Sequence, residues 1–211
     1  MPAEAFVFDA YGTLYDVHSV VQRCETCWPG KGAALSRLWR AKQLEYTWQR
    51  SLMNRYAPFS TVTREALAYA CEALRLELSV AQMEGLMGEY QRLGLFPEVR
   101  NTLERVGRKA ILSNGSPDML LPLVENSGLE LDAVISVDEL KVFKPAARVY
   151  ALAEERLKTS NIGFVSSNCW DALGAKSYGF TVYWINRSGA PLDRLGFQPD
   201  RVLSSLDEIL Q

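Results

Sequence analysis

Short apolar runs of strand length recur along the chain, at 5–8, 110–112, 133–135, 162–165, 181–185 and, more weakly, 201–203. Segments with helical patterns lie between them, at 97–106, 117–126, 146–157 and 170–178. Pro117 suits a first helical turn, and Gly128 and Gly179 suit helix ends. Near-continuous apolar strands alternating with helices predict an α/β fold whose Rossmann-like parallel sheet is covered on both faces.

Residues from about 15 to 96 break this alternation. They hold no convincing strand, and stretches 35–56 and 64–76 place apolar residues three and four apart, the spacing of amphipathic helices. About eighty residues far exceeds one crossover helix. The expectation is a helical-bundle cap at 15–96, inserted into a catalytic core made of 1–14 and 97–211.

With 211 residues and 48% apolar content the chain can bury a substantial core. The net charge of −2, with both signs interspersed, gives no footprint for nucleic acid or a membrane surface. A small neutral or anionic ligand is the expected partner. No apolar stretch approaches the roughly 20 residues that span a bilayer, so the expected location is the cytoplasm. Cys24 and Cys27 form one C-x-x-C without a second ligand pair, and with Cys71 and Cys169 they read as ordinary thiols. His18, the sole histidine, excludes chemistry that needs several imidazoles.

Candidate chemistry gathers at the carboxyl ends of the predicted strands, where open parallel sheets bind ligands. The first strand ends in Asp9, followed by Gly12 and Thr13. The second delivers Ser113, Asn114 and Gly115, the loop after the third leads to Lys144 and Pro145, and the fourth delivers Ser166, Ser167, Asn168 and then Asp171. Lys144 would keep Asp9 ionised, and Thr13 would fix one carboxylate oxygen. Asp171 and a lysine, Lys144 with Lys141 as its competitor, are the expected pair beside it.

These four motifs, in this order, resemble those of the haloacid dehalogenase superfamily, whose members use such an aspartate as a covalent nucleophile. Superfamily phosphatases carry a second Asp two residues after the nucleophile and acids in the fourth motif to hold magnesium. Here Tyr11 takes the first place, and "SSNCWD" offers only Asp171 as a charge. The stretches "FDAYGTLYDV", "WRAKQLEYTW", "ILSNGSPDML", "VFKPAARVY" and "FVSSNCWDALGAKSYGF" resemble the L-2-haloacid dehalogenases instead.

That resemblance implies hydrolysis of short-chain L-2-haloalkanoic acids to D-2-hydroxy acids through an ester on Asp9, without metal or cofactor, in a homodimer. It assigns the halide to Arg40, Asn114, Phe59 and Trp170. The substrate carboxylate falls to the Ser113 hydroxyl and to the N–H groups of Ala10 and Tyr11, and the alkyl wall to Tyr11, Leu44 and Trp170. Asp171 would activate water, positioned by Lys144, Ser166 and Asn168, with Tyr150 orienting substrate or a charged neighbour. Two departures stand out: Ala41 replaces a glutamine beside Arg40, which would loosen the pocket, and the links 106–110 and 157–162 are short for the family. A magnesium-dependent phosphatase of small metabolites and a non-catalytic carboxylate-binding protein are the competing readings.

Overall fold

In the computed structural model, which describes residues 3–211, six parallel strands form one sheet. They are β1 (Ala5–Phe8), β2 (Lys109–Ser113), β3 (Ala133–Ser136), β4 (Ile162–Ser166), β5 (Thr181–Ile185) and β6 (Arg201–Leu203). The order across the sheet is β3-β2-β1-β4-β5-β6. The chain therefore builds outward from β1 in one direction and then restarts at β4 in the other. That reversal leaves a crevice at the carboxyl ends of β1 and β4. Phe8 pairs with Ile111 on one side and Val165 on the other, so Asp9 leaves the sheet at its centre.

The strands are apolar throughout because helices cover both faces, and Val7, Phe8, Ile111, Leu112, Phe164 and Val165 have no exposed surface. On the core side the helices are α5 (Val99–Arg105), α6 (Pro117–Ser127), α7 (Ala147–Leu157) and α8 (Cys169–Tyr178). Pro117 opens α6 and Gly128 closes it at φ +62°, as expected for a first-turn proline and a left-handed cap.

The segment after β1 folds into α1 (His18–Cys27), α2 (Gly32–Leu52), α3 (Phe59–Ala73) and α4 (Val80–Glu89). These pack on one another, α2 against α1 and α3, and α4 against α1 and α3. Ser79 and Gln82 form a reciprocal capping box at the start of α4. The entering and leaving chains meet: Asp16 N–H donates to the Gly94 carbonyl at 2.8 Å and Phe96 N–H to the Leu14 carbonyl at 3.1 Å. Among the described residues no helix is long and apolar enough to cross a membrane. The two short links, before β2 and before β4, lie at the amino ends of their strands, on the side of the sheet away from Asp9.

Candidate active site

Asp9 follows directly on β1, in a turn whose geometry depends on Gly12 at φ +83°. The turn uses the N–H groups of Asp9, Gly12, Thr13, Leu14 and Tyr15, and those of Ala10 and Tyr11 are not among them. Thr13 Oγ1 donates to Asp9 Oδ2 at 3.0 Å, and Asn168 Nδ2 donates to the same oxygen at 2.8 Å. Ser167, in turn, donates its N–H to Thr13 Oγ1 and its hydroxyl to the Gly12 carbonyl. Asp9 thus reaches the surface by only 7% of its area, with its carboxylate held from two strand ends.

Lys144 is 1% exposed, and its ammonium lies between two carboxylates, 3.2 Å from Asp9 Oδ1 and 2.9 Å from Asp171 Oδ2. An uncompensated lysine there would shed its proton. The two anions outweigh the desolvation that acts against the charged form and raise its pKa above the ordinary lysine value. Asn114 Oδ1 accepts from the Lys144 N–H at 2.9 Å, which fixes the loop that carries the lysine. Asp171 lies wholly buried in the first turn of α8, and Tyr150 donates to its Oδ1 at 2.8 Å. Burial pushes its carboxyl up to about 6, with Lys144 acting in the opposite direction and Asp9 in the same one. Of the two expected partners of Tyr150, the charged neighbour is the one it bonds here.

Asn168 reaches both aspartates: its backbone carbonyl accepts the Asp171 N–H at 3.1 Å, and its side-chain amide donates to Asp9. Ser166 accepts the Asn168 N–H at 3.1 Å and so shapes the turn without reaching Asp171. Ser113 is buried and accepts the Gly115 N–H at 3.0 Å, a bond that leaves its own proton unused.

From above, α2 lowers Arg40 onto the core: Nη2 donates to Asn168 Oδ1 at 3.4 Å and Nη1 to Gln43 Oε1 at 2.6 Å. Leu44, half-buried, follows Arg40 by one turn on the same helix. Phe59 is buried, and its ring stacks on Tyr11 with centroids 6.0 Å apart, while Tyr90 meets Tyr11 edge-on at 5.7 Å. Trp170 meets Trp48 edge-on at 5.7 Å. Where an acid would flank the nucleophile, this chain therefore has an aromatic wall. The Tyr11 hydroxyl is buried without a hydrogen-bond partner, and burial raises its pKa. It lies over Gly115, where an added Cβ would stand 3.0 Å from the hydroxyl oxygen and 3.3 Å from Ser113 Oγ.

Ala41 is exposed on α2 and makes no wall beside Arg40; the polar neighbour of Arg40 is Gln43. Gln43 escaped the sequence reading, as did Ser167 in its bonded role. Only the packing of α2 shows Gln43 to be inward: its buried residues are Gly32, Leu35, Trp39, Gln43 and Thr47. Arg187 was also missed. It bonds the Gly12 and Thr13 carbonyls at 3.2 and 3.1 Å, pairs with Glu98 at 2.6 Å, and stacks on Phe96. Lys141 is exposed and pairs with Asp138. His18 is exposed at the start of α1, and all four cysteines are free. Among the described residues no cluster of three acidic, histidine or cysteine side chains is arranged for a metal ion.

The arrangement presents a carboxylate at the end of β1, an ammonium countercharge, a second carboxylate raised by burial and a cation on the overlying helix. Residues 3–179 match the haloacid dehalogenase-like hydrolase family. The (S)-2-haloacid dehalogenase H-109 of Pseudomonas putida is 49% identical over 216 aligned positions, covering 99% of this chain and 96% of that one. The crystal structure of the L-2-haloacid dehalogenase RSc1362 has a TM-score of 0.97 at 44% identity, covering 100% of this chain and 98% of the other. The L-2-haloacid dehalogenase from Xanthobacter autotrophicus, solved with chloropropionic acid covalently bound, has a TM-score of 0.91 at 42% identity, over 98% of this chain and 96% of that one. This chain belongs to the haloacid dehalogenase-like hydrolases.

Proposed function

We propose that this protein hydrolyses short-chain L-2-haloalkanoic acids to D-2-hydroxy acids through an ester on Asp9. The observation that carries the reading is the Lys144 ammonium bonded at once to Asp9 and Asp171, in a site where Tyr11 replaces a second acid. A hard divalent cation prefers several anionic oxygens, and here an ammonium already compensates both carboxylates. The reaction is accordingly read as metal-independent.

Asp9 attacks the halogen-bearing carbon, the carbon–oxygen bond forms as the carbon–halogen bond breaks, and the configuration inverts. Oδ2 accepts two hydrogen bonds and Oδ1 one, so Oδ1 is the less engaged oxygen for attack. The halide leaves with the bonding pair. It has no proton to receive, so it needs donors and positive charge rather than a general acid. Arg40, the Asn114 amide and the rims of Phe59 and Trp170 supply that cradle. The Ser113 proton and the Ala10 and Tyr11 N–H groups hold the substrate carboxylate, and Tyr11, Leu44 and Trp170 enclose the alkyl group.

In the second half, Asp171 takes a proton from water, and the hydroxide adds to the Asp9 carboxyl carbon. Collapse breaks the acyl–oxygen bond, the product alkoxide takes the proton held by Asp171, and the carboxylic acid left at Asp9 releases its own proton to solvent, so that both aspartates return as carboxylates. Tyr150 and Lys144 orient Asp171, Ser166 supports Asn168, and Thr13 and Asn168 hold Asp9. One oxygen of the product then comes from Asp9 in the first turnover. We also read the working form as a cytoplasmic homodimer, to be checked by light scattering against the 23.7 kDa chain mass.

The test is halide release from L- and D-2-chloropropionate in EDTA, beside Asp9→Asn. Chloride from the L isomer alone, reduced on the order of 10⁴-fold or more by the substitution, supports the reading. Phosphate release from a generic ester only after magnesium is added, with no chloride, would establish a phosphatase instead. Binding of 2-haloacids without turnover would establish a carboxylate-binding protein.

A further inference from the structure

Gln43 lies one turn beyond Arg40 on α2 and has no exposed surface. Its Oε1 accepts from Arg40 Nη1 at 2.6 Å, and its Nε2 donates to the Thr63 hydroxyl at 2.8 Å. The neighbours dictate which way this amide faces. Thr63 directs its one hydroxyl proton to the Phe59 carbonyl at 2.7 Å, so toward Gln43 it can only accept. Oε1 is thereby turned to Arg40, which offers only donors.

Three other arginines whose guanidinium bonds a side chain differ. Arg50 pairs with Glu65, Arg64 with Glu84 and Arg187 with Glu98, whereas Arg40 makes its bonds to two amides, Gln43 and Asn168. Among the described residues, no carboxylate forms an ion pair with Arg40. A carboxylate at position 43 would bind the guanidinium more strongly and cancel its charge beside the site. An amide of the same shape gives direction without neutralisation.

We infer that Gln43 is a positioning residue that aims Arg40 at the departing halide while sparing its charge, anchored through Thr63 to the first turn of α3. The inference rests on the haloacid reading above, because it takes the anion at Arg40 to be halide. Two near-isosteric variants separate direction from charge. Gln43→Glu neutralises Arg40, and Thr63 can turn its proton to the new acceptor. Gln43→Met removes the acceptor and leaves the charge.

The probe is chloride itself, with binding to the substrate-free protein read from chlorine NMR line broadening, beside steady-state halide release from L-2-chloropropionate and thermal melting. The expected result is chloride affinity at least tenfold weaker in Gln43→Glu, with melting close to the parent. Gln43→Met should keep most of that affinity while its kcat falls severalfold. Parent-like chloride affinity in Gln43→Glu, or an equal loss in both variants, overturns the inference. If the parent binds chloride through Arg40 but releases none from L-2-chloropropionate, the haloacid reading fails while the charge-sparing role of Gln43 stands.

Discussion

On the proposed mechanism, Asp171 sets activity and stability against each other. Its carboxyl is raised to about 6, chiefly by burial, against an ordinary aspartate value of about 4 in the unfolded chain. As pH rises from about 4 to about 6 the unfolded chain releases this proton while the native protein keeps it, so the contribution of Asp171 to stability is present below that interval and lost through it. Proton transfer from water needs the opposite, the ionised form. Between about pH 4 and 7, kcat is therefore expected to rise with an acid limb near 6, because Asp171 acts after the halide has left. Asp171→Asn should nearly abolish turnover while melting at a higher temperature relative to the parent as pH increases. A melting difference that shrinks with pH would contradict this account. The same residues show what sequence can and cannot disclose. Asp9, Ser113, Asn114, Lys144 and Asp171 were legible because strand ends expose whatever the chain places there. Gln43 was not, since which face of an amphipathic helix turns inward is decided by the partner it packs on.

Element boundaries follow the same logic. The six strands were readable because burial on both faces demands unbroken apolar runs. The helices were readable in outline, but α5 starts at Val99 rather than at Pro97, where Glu98 gives its carboxylate to Arg187 instead of capping the helix. In the segment after β1, α1 and α4 had no counterpart in the pattern analysis, although the Ser79–Gln82 capping box marks α4. At the element scale α8 approaches α7 closely. A Cβ on Gly174 would lie 2.5 Å from both the Tyr150 hydroxyl and Pro145 Cβ. Gly174→Ala is expected to cost about 1–3 kcal/mol by overpacking and to lower kcat by pushing Tyr150 off Asp171. Gly94→Ala, with open space around it, should leave melting near the parent value. Unaltered kcat in a destabilised Gly174→Ala would remove the link from this packing to the carboxylate.

Across the whole molecule, Arg187 joins three parts that the sequence keeps far apart: the turn after the nucleophile, the chain returning from α4, and the loop after β5. It pairs with Glu98, stacks 3.8 Å above the Phe96 ring and bonds the Gly12 and Thr13 carbonyls. Arg187→Ala is expected to cost about 1–3 kcal/mol through the lost charged hydrogen bonds. It should also slow ester formation, measured as the single-turnover halide burst, more than it raises KM, because the turn that aims Asp9 loses its support. Arg187→Lys restores charge but not the bidentate stacked geometry and should recover only part of the rate. Full recovery by lysine would reduce the residue to a charge partner.

The bonded pair of connections at 14–16 and 94–96 has a further consequence. Since Asp16 and Gly94 stand 2.8 Å apart, N–H to carbonyl, the chain leaves the sheet layer and returns at nearly one point. The four helices between them form a cassette: another bundle with equally close ends can be spliced in without re-spacing β1 against β2. Arg40, Leu44 and Phe59 would travel with such an exchange, while Asp9, Lys144 and Asp171 would stay. On the proposed mechanism such an exchange would replace the cation and one ring of the halide cradle while Asn114, Trp170 and the attacking carboxylate stay in place.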